Sequence, residues 1–185
     1  HAAMPWRDLP AFYVQLLKTE GLVQSVQALK FTILTAARTN ETQFARWSEI
    51  DLENARWTIP AEKMKAKREH IVPLSKPALD ILMAQQPLTH NSGWVFAGGK
   101  VGKPLSNMAM ANALKQRREG FTVHGFRSTF RDWSAEQTDF PNEVCEQALA
   151  HTIGNSAEAA YRRTSQFEKR RELMSLWACF ATTAE

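Results

Sequence analysis

Residues 47–74 break the periodicity of the chain around them, and that interruption limits the fold more than any other feature. WSEIDL is a short strand-like run, and Glu53-Asn54 is a turn signal. ARWTIPAEKMKAK and HIVPLS follow as two more strands with a charged link between them. On both sides the spacing is helical. Residues 9–36 read as two helices broken near Gly21, the second carrying Val26, Leu29, Ile33 and Leu34 at helical spacing. Thr39 is placed to cap a short helix starting at Asn40. Ser75 and Pro77 open a helix to about Gln86, and a Gly-rich loop covers residues 91–104. Ser106 caps a helix to about Arg118. Residues 124–137 form another, with Phe126, Phe130 and Trp133 on one stripe. Asp139 and Pro141 start the next, which ends near His151. Asn155 with Glu158, and Ser165 with Glu168, have capping-box spacing for the last two helices. The prediction is a mainly α chain enclosing a small three-stranded antiparallel sheet, one domain over residues 1–185 with no linker.

Composition narrows the function classes. A chain of 185 residues buries roughly 70% of its unfolded surface, and 44% hydrophobic content places it among globular chains. Twenty-three Lys and Arg against 19 Asp and Glu give +4, which permits a nucleic-acid partner without requiring one. Cys145 and Cys179 have no CxxC spacing and no nearby His to complete a metal site, so they read as reduced core thiols of a cytoplasmic protein. No apolar run approaches the roughly 18 residues a membrane span needs. The start HAAMPW lacks an initiator Met, and residues 1–4 read as a tag remnant or the edge of an excised fragment.

Five places could carry chemistry, and each has an ordinary explanation when taken alone. His124, Arg127 and Arg131 share a helix face opposite the aromatic stripe, which suits a fixed anion site or a solvated basic face. Arg38 precedes a helix N-terminus that favours phosphate, or is a surface residue before a cap. Lys63, Lys65, Lys67 and Arg68 crowd a hairpin tip, either to enter a DNA groove or to keep an edge strand soluble. His151 closes a helix whose buried stripe includes Val144 and Ala148, the usual place of a satisfied core histidine. Tyr161 follows Ala157, Ala159 and Ala160, and precedes Arg162 and Arg163.

Their joint order, Arg, Lys, His-x-x-Arg, His, Tyr, is more specific than any one of them. Over nearly the whole chain it resembles the catalytic domain of a tyrosine recombinase of the phage-integrase family, and most of all the prophage integrases that insert into tRNA genes. TAARTNE matches the family's first-arginine motif, HGFR its His-x-x-Arg box, LAH its Leu-Gly-His box, and AYRRT the segment holding its nucleophile. EKRRELMSLWA is also typical of the integrase subgroup. Ala36 and Asn40 stand where many members have Gly, and Ala150 replaces Gly in the His box. All three are small or turn-compatible and are expected to touch no catalytic group. Tyr161 lies ten residues after His151, one more than in many relatives. The DNA-clamping domain usual upstream in the family has no counterpart in these residues.

The resemblance implies the catalytic-domain fold of the DNA breaking-rejoining enzymes. It implies that Tyr161 attacks a DNA phosphodiester, leaving a 3′-phosphotyrosine and a free 5′-hydroxyl. Only about one tyrosine in a thousand is ionised at pH 7, so the site must help remove the proton. Arg38 and Arg127 would clamp the non-bridging oxygens, and His124 and His151 would bond the phosphate or move protons. A lysine of the hairpin would protonate the leaving oxygen. Alternation cannot choose among Lys63, Lys65 and Lys67, all odd-numbered; the family's usual spacing of eight residues to the Pro that closes the next strand, here Pro73, selects Lys65. Lys63, Lys67, Arg131 and Arg162 would contact DNA. The implied partners are double-stranded attachment sites, further integrase subunits in a tetramer on DNA, and DNA-bending accessory proteins. The segment after Arg171 would dock on a neighbouring subunit through Leu173, Leu176, Trp177 and Phe180. No cofactor, metal or membrane is implied. The rival readings are a non-catalytic helical DNA-binding regulator, which has no use for this set of residues, and a metal-dependent nuclease, for which His124 and His151 lack carboxylates at ligand spacing.

Overall fold

A computed structural model describes residues 1–151 and 163–183. Its centre is α2 (Gln24–Thr35), which contacts α1 (Leu9–Leu17), α3 (Thr39–Gln43), α4 (Lys76–Thr89), α5 (Ala109–Lys115) and α8 (Arg163–Thr182). A helix surrounded by others must be acceptable to a core on every face. Val26, Leu29, Phe31, Ile33 and Leu34 are buried, and the buried Thr32 and Thr35 hydroxyls donate back to Ala28 and Phe31 carbonyls at 2.8 and 2.7 Å. The two helices predicted over residues 9–36 are both present.

The sheet has the order β1 (Ile50–Asp51), β2 (Arg56–Ile59), β3 (His70–Pro73), antiparallel throughout. Trp57 opposes Val72, turns inward and meets Phe31 at 5.3 Å between ring centroids. Two strand predictions need correction. WSEIDL contributes only Ile50–Asp51 to the sheet, because Trp47–Glu49 forms a 3₁₀ turn. ARWTIPAEKMKAK stops pairing at Ile59, since Pro60 has no N–H with which to continue the ladder. Lys63, Lys65 and Lys67 therefore lie on a loop, not a strand. Lys63 ends a 3₁₀ turn and Lys67 has φ +52°, so the expected common strand face does not exist.

Several helix ends also move. α3 starts at Thr39 with Arg38 at the N-cap, and the Glu41 carboxylate accepts the Arg38 N–H at 2.8 Å, so Glu41 and not Thr39 closes the cap. α4 runs past Gln86 and includes Pro87. α5 begins three residues after Ser106 and stops at Lys115. α6 (Gly125–Gln137) is as predicted, with Phe126, Phe130 and Trp133 buried. α7 (Asn142–Ala148) ends before His151. α8 contains Ser165 in its first turn, so Ser165 is not a cap; the Asn155–Glu158 pair lies outside the described residues.

The apolar stripe of α8 packs on the chain's own core, not on a free face. Leu173 and Trp177 are fully buried, and Trp177 lies 5.3 Å from Phe130 and 5.1 Å from Trp133, ring to ring. Phe180 stacks on Trp133, and Leu176 alone of the four is exposed. Cys145 is buried and Cys179 exposed, so only one of the two is a core thiol. The N-terminal residues cover the start of α6. Thr129 donates to the Met4 carbonyl at 2.7 Å, and a Cβ on Gly125 would strike the Ala2 carbonyl. Among the described residues no helix is long and apolar enough to cross a membrane.

Among the described residues, four non-glycine residues hold left-handed backbone: Ala36, Ala55, Lys67 and Ala150. Ala55 sits at the β1–β2 turn, half-exposed. Ala55→Gly is expected to raise stability by about 0.5–1 kcal/mol by removing the Cβ clash, read as a higher urea midpoint. At Ala36 the same relief is offset by loss of a fully buried methyl, about 0.8 kcal/mol, so Ala36→Gly should be close to neutral.

Candidate active site

The site forms where the ends of two helices meet a third. α2 terminates at Ala36 in the left-handed conformation, φ +50°, and the chain leaves toward Arg38. α7 terminates in the same way at Ala150, φ +51°. There the Ala150 N–H returns to the Gln147 carbonyl at 2.9 Å, and the His151 N–H to the Glu146 carbonyl at 3.0 Å. This is the paired closure of a Schellman turn, and it fixes the backbone of His151.

Arg127, on the first turns of α6, joins both ends. Its Nη1 donates to the Ala36 carbonyl at 2.6 Å and its Nη2 to the Leu149 carbonyl at 2.5 Å. The same Nη2 lies 3.2 Å from His151 Nε2. Arg38 Nη1 pairs with Glu41 at 2.7 Å, and Nη2 reaches the Ala150 carbonyl at 3.5 Å. Ala36 and Ala150 thus touch both guanidiniums through their carbonyls, contrary to the expectation that these positions contact no catalytic group. On the other side of His151, Nδ1 lies 2.6 Å from the Glu146 carboxylate. A neutral imidazole with its proton on Nδ1 satisfies both contacts, donating to Glu146 and accepting from Arg127.

Arg38 and His124 line one open cleft with Lys63, Lys65 and Lys67. His124, at the N-cap of α6, also meets the His1 ring at 4.3 Å. Lys63 is held away from free solvent, because its Nζ donates to the Phe44 carbonyl at 2.8 Å and is ion-paired with Glu49. No such partner engages Lys65 among the described residues. The Arg38 guanidinium, the His124 imidazole and the Lys65 ammonium line one opening, with Arg127 and His151 bonded at the turn that Arg38 also reaches, and together such groups can hold a phosphate and move a proton at it.

Comparison with known proteins places this arrangement. The phage integrase family description matches residues 13–167. The chain belongs to the phage integrase family. Curated relatives include prophage integrase IntZ of Escherichia coli K12, 38% identical over 182 residues, and the integrase of Enterobacteria phage P4, 32% identical over 198 residues. Each alignment takes in 96% of this chain but only 44% and 45% of the relative, so the chain spans under half the length of these integrases. Among solved structures, XerH recombinase bound to its difH substrate aligns with a TM-score of 0.63 at 18% identity, covering 88% of this chain and 52% of that one. A lambda integrase dimer bound to a core site aligns at 0.59, also at 18% identity, covering 88% of this chain and 59% of that one. The fold is that of the tyrosine recombinase catalytic domain.

Within this integrase fold, Arg38, Lys65 and His124 line one cleft, and Arg127 and His151 meet at the 149–151 turn that Arg38 also reaches. Tyr161 and Arg162 lie outside the described residues. Arg131, expected to face DNA, is turned inward: its Nε donates to Glu146 at 2.6 Å and its Nη2 to Asn142, so it braces the carboxylate that holds His151. Sequence reasoning missed Glu41, Glu146, Glu49 and His70. Glu41 stands at N3 of α3, a spacing legible as a cap once Arg38 is taken as the N-cap. Glu146 and His70 belong to none of the sequence motifs, although Glu146 lies only five residues before His151.

The cluster is electropositive enough to shift its own members. Burial, then the neighbouring Arg38 charge, brings the Arg127 guanidinium down to about 10, still cationic at neutral pH. Burial, then Arg127 and Arg38, lowers His124 and favours its neutral form. For Glu146 burial works upward, but hydrogen bonds from His151 and Arg131 outweigh it and the carboxyl titrates low. Burial, then the charges of Arg170, Arg38 and Arg127, pushes His70 down to about 3.

The His70 shift has a sign that can be tested. An unfolded-chain histidine takes up its proton near pH 6.5, whereas folded His70 does not until about pH 3. The unfolded state therefore binds more protons in that window, and stability falls as pH drops through it. Between pH 7 and pH 5 the wild-type chain should lose on the order of 1 kcal/mol from this source, and His70→Gln should lose correspondingly less. Urea midpoints of both proteins at the two pH values measure the difference.

Proposed function

We propose that this chain breaks and rejoins DNA at specific sites, as part of prophage integration and excision. The observation that carries the reading is the meeting of Arg38 and Arg127 at the carbonyls of residues 149–150, with His151 at the same turn and Arg38 sharing its cleft with His124 and with Lys65, which has no partner among the described residues. Arg127 and Arg38 exchange those carbonyls for the non-bridging oxygens of the scissile phosphate, where charge gathers in the transition state. Tyr161 Oη attacks phosphorus, the bond to the 5′-oxygen breaks, and a 3′-phosphotyrosine forms. His124 or His151 helps the phenol lose its proton, and Lys65 Nζ gives one to the departing 5′-oxygen. Religation by a 5′-hydroxyl reverses these steps and needs no nucleotide. The substrates are double-stranded attachment sites. Recombination between two sites requires further integrase subunits, arranged as a tetramer on DNA, with DNA-bending accessory proteins assisting.

The other tyrosine supports the choice of nucleophile. Tyr13 is buried in the core, and burial raises its proton affinity further. Nicked attachment-site DNA should trap a covalent adduct visible on a denaturing gel, in excess EDTA as well as without it. Tyr161→Phe should bind that DNA and form no adduct; an adduct mapped by mass spectrometry to Tyr13 would overturn the assignment.

Lys65 is the general acid in this reading, because Lys63 is committed to Glu49 and the Phe44 carbonyl. A 5′-thiolate leaves without a proton, so DNA with sulfur at the bridging 5′-position should restore cleavage to Lys65→Ala but not to Arg38→Ala. Rescue of Lys67→Ala or Lys63→Ala instead, with Lys65→Ala at the wild-type rate on normal DNA, would move the role to that lysine.

A further inference from the structure

Lys63 lines the cleft two residues before the proposed general acid, yet its ammonium is already engaged. Its Nζ donates to the Phe44 carbonyl at 2.8 Å and is ion-paired with Glu49 Oε1. The other oxygen of that carboxylate is taken too, accepting the Trp57 indole N–H at 3.1 Å and the Arg46 backbone N–H at 3.2 Å. Trp57 is fully buried against Phe31. A continuous line of contacts thus runs from the core through Trp57 and Glu49 to the β2–β3 loop. The Glu49 side chain is 9% exposed, so salt screens the pair far less than it screens a surface one.

That loop has little else to hold it. Between Pro60 and His70 only Met64 is buried, and residues 65–69 are all exposed. Its backbone bonds are local turns, Lys63 to Pro60, Met64 to Ala61 and Lys67 to Met64, which shape the loop without attaching it to the rest of the fold. Lys63 and Met64 are therefore its attachments, and they immediately precede Lys65. The Phe44 carbonyl adds a second constraint. Phe44 is the C-cap of α3, whose N-cap is Arg38. The five residues of α3 span about 7.5 Å at the usual helical rise. Lys63 thus ties the loop to one end of the turn that carries Arg38 at its other end. In the reaction proposed above, Arg38 meets a non-bridging oxygen and Lys65 the 5′-oxygen of the same phosphorus, so the separation of these two groups has to be fixed.

We propose that Lys63 is a positioning residue: paired with Glu49 and bonded to the Phe44 carbonyl, it holds the loop so that Lys65 stands at a set distance from Arg38, and it makes no DNA contact of its own. The inference rests on the proposed reaction for its catalytic consequence, but the tether itself is independent of it. A lysine suits the task because one ammonium has three N–H donors, enough for a carboxylate and a carbonyl together. A loop freed from this tether carries its acid away from the leaving oxygen, and a misplacement of about 1 Å is enough to lower a rate about a hundredfold.

The test uses Lys63→Met, which keeps the stem without the ammonium, Glu49→Gln, which leaves Lys63 but removes its ion pair, and Lys63→Arg, whose guanidinium can bond both acceptors. In single-turnover cleavage at saturating nicked DNA, Lys63→Met and Glu49→Gln should each be slower by about tenfold or more, and Lys63→Arg within about threefold of wild type. With sulfur at the bridging 5′-position, where no proton is needed, both slow variants should return to within about threefold of the wild-type rate. On a Lys65→Ala background, Lys63→Met should slow normal DNA by less than about twofold more, because the acid it positions is already gone. The salt dependence of DNA binding should keep its wild-type slope. Wild-type cleavage by Lys63→Met overturns the proposal, as do equal slowing on oxygen and sulfur substrates, full additivity with Lys65→Ala, and Lys63→Arg as slow as Lys63→Met. So does a salt slope reduced by about one, the mark of a lost phosphate contact. If Lys63→Met does not fold, Glu49→Gln decides by the same measurements. Lys65→Ala at the wild-type rate on normal DNA defeats the acid assignment, and a wild-type chain that forms no adduct defeats the proposed reaction. Trypsin then decides on the tether alone: the folded chain should be cut after Lys65 and Lys67 faster in Lys63→Met than in wild type, and equal rates overturn it.

Discussion

A guanidinium taken out of water must find acceptors, and Arg127 finds them in two places that are far apart in the chain. It is 5% exposed, and its two terminal nitrogens bond carbonyls 91 residues before it and 22 after it. Removing such a partner from a buried charge costs about 3–5 kcal/mol, so the arrangement is strongly specified. Both acceptors belong to helix C-termini, where carbonyls are free and the aligned peptide dipoles leave partial negative charge. The rest of the site is measured from this junction. Arg38 is two residues beyond one acceptor, His151 two beyond the other, and His124 three before Arg127 on the same helix start.

This junction explains how a cluster of cations is stable before any phosphate arrives. Arg38 and Arg127 are close enough for each charge to oppose the other. Glu41, buried beside Arg38 in the cleft wall, and Glu146, behind His151, supply compensation. The imidazoles adapt instead of adding charge: His124 and His70 are both driven toward the neutral form by burial and the arginines. A phosphate diester entering the cleft meets donors that are already oriented. In the proposed reaction it displaces the 3.5 Å bond from Arg38 to the Ala150 carbonyl and the shorter 2.5 Å bond from Arg127 to the Leu149 carbonyl.

Features governed by local periodicity were legible in the sequence. The α6 stripe of Phe126, Phe130 and Trp133 and the break between α1 and α2 appear where spacing predicted them, and the three antiparallel strands appear in the predicted order, two of them shortened. The order of basic residues and histidines was legible too, because motif order survives where geometry is not known. What failed had competing local signals. A run of alternating residues through ARWTIPAEKMKAK suggested a long strand, and a single imino acid, Pro60, ended it. The capping residue was read one position late at α3 and two positions early at α5, because side chains from three residues on, or a preceding carbonyl, can close a helix start as well as Ser or Thr. The apolar face of α8 was legible as a stripe, but a stripe does not say whose core it enters. Arg131 meets Glu146 across 15 residues and Arg127 meets Ala36 across 91, separations that no pattern along the chain encodes.

The two alanines that depart from the family pattern, Ala36 and Ala150, fall at the two left-handed residues whose carbonyls hold the guanidiniums. Glycine enters that conformation freely, whereas alanine incurs about 1–2 kcal/mol of strain. At Ala36 the methyl is fully buried and regains much of that by packing. At Ala150, half-buried, less is regained, so the turn before His151 is the more strained of the two. Strain in a turn persists only where neighbouring contacts over-determine it. Here those contacts are the Schellman closure from within and the donors from Arg38 and Arg127 from outside. A glycine at 150 would relax the turn without needing them. The alanine makes the geometry of the turn depend on the cations being in place, and so couples the position of His151 to the state of the two arginines.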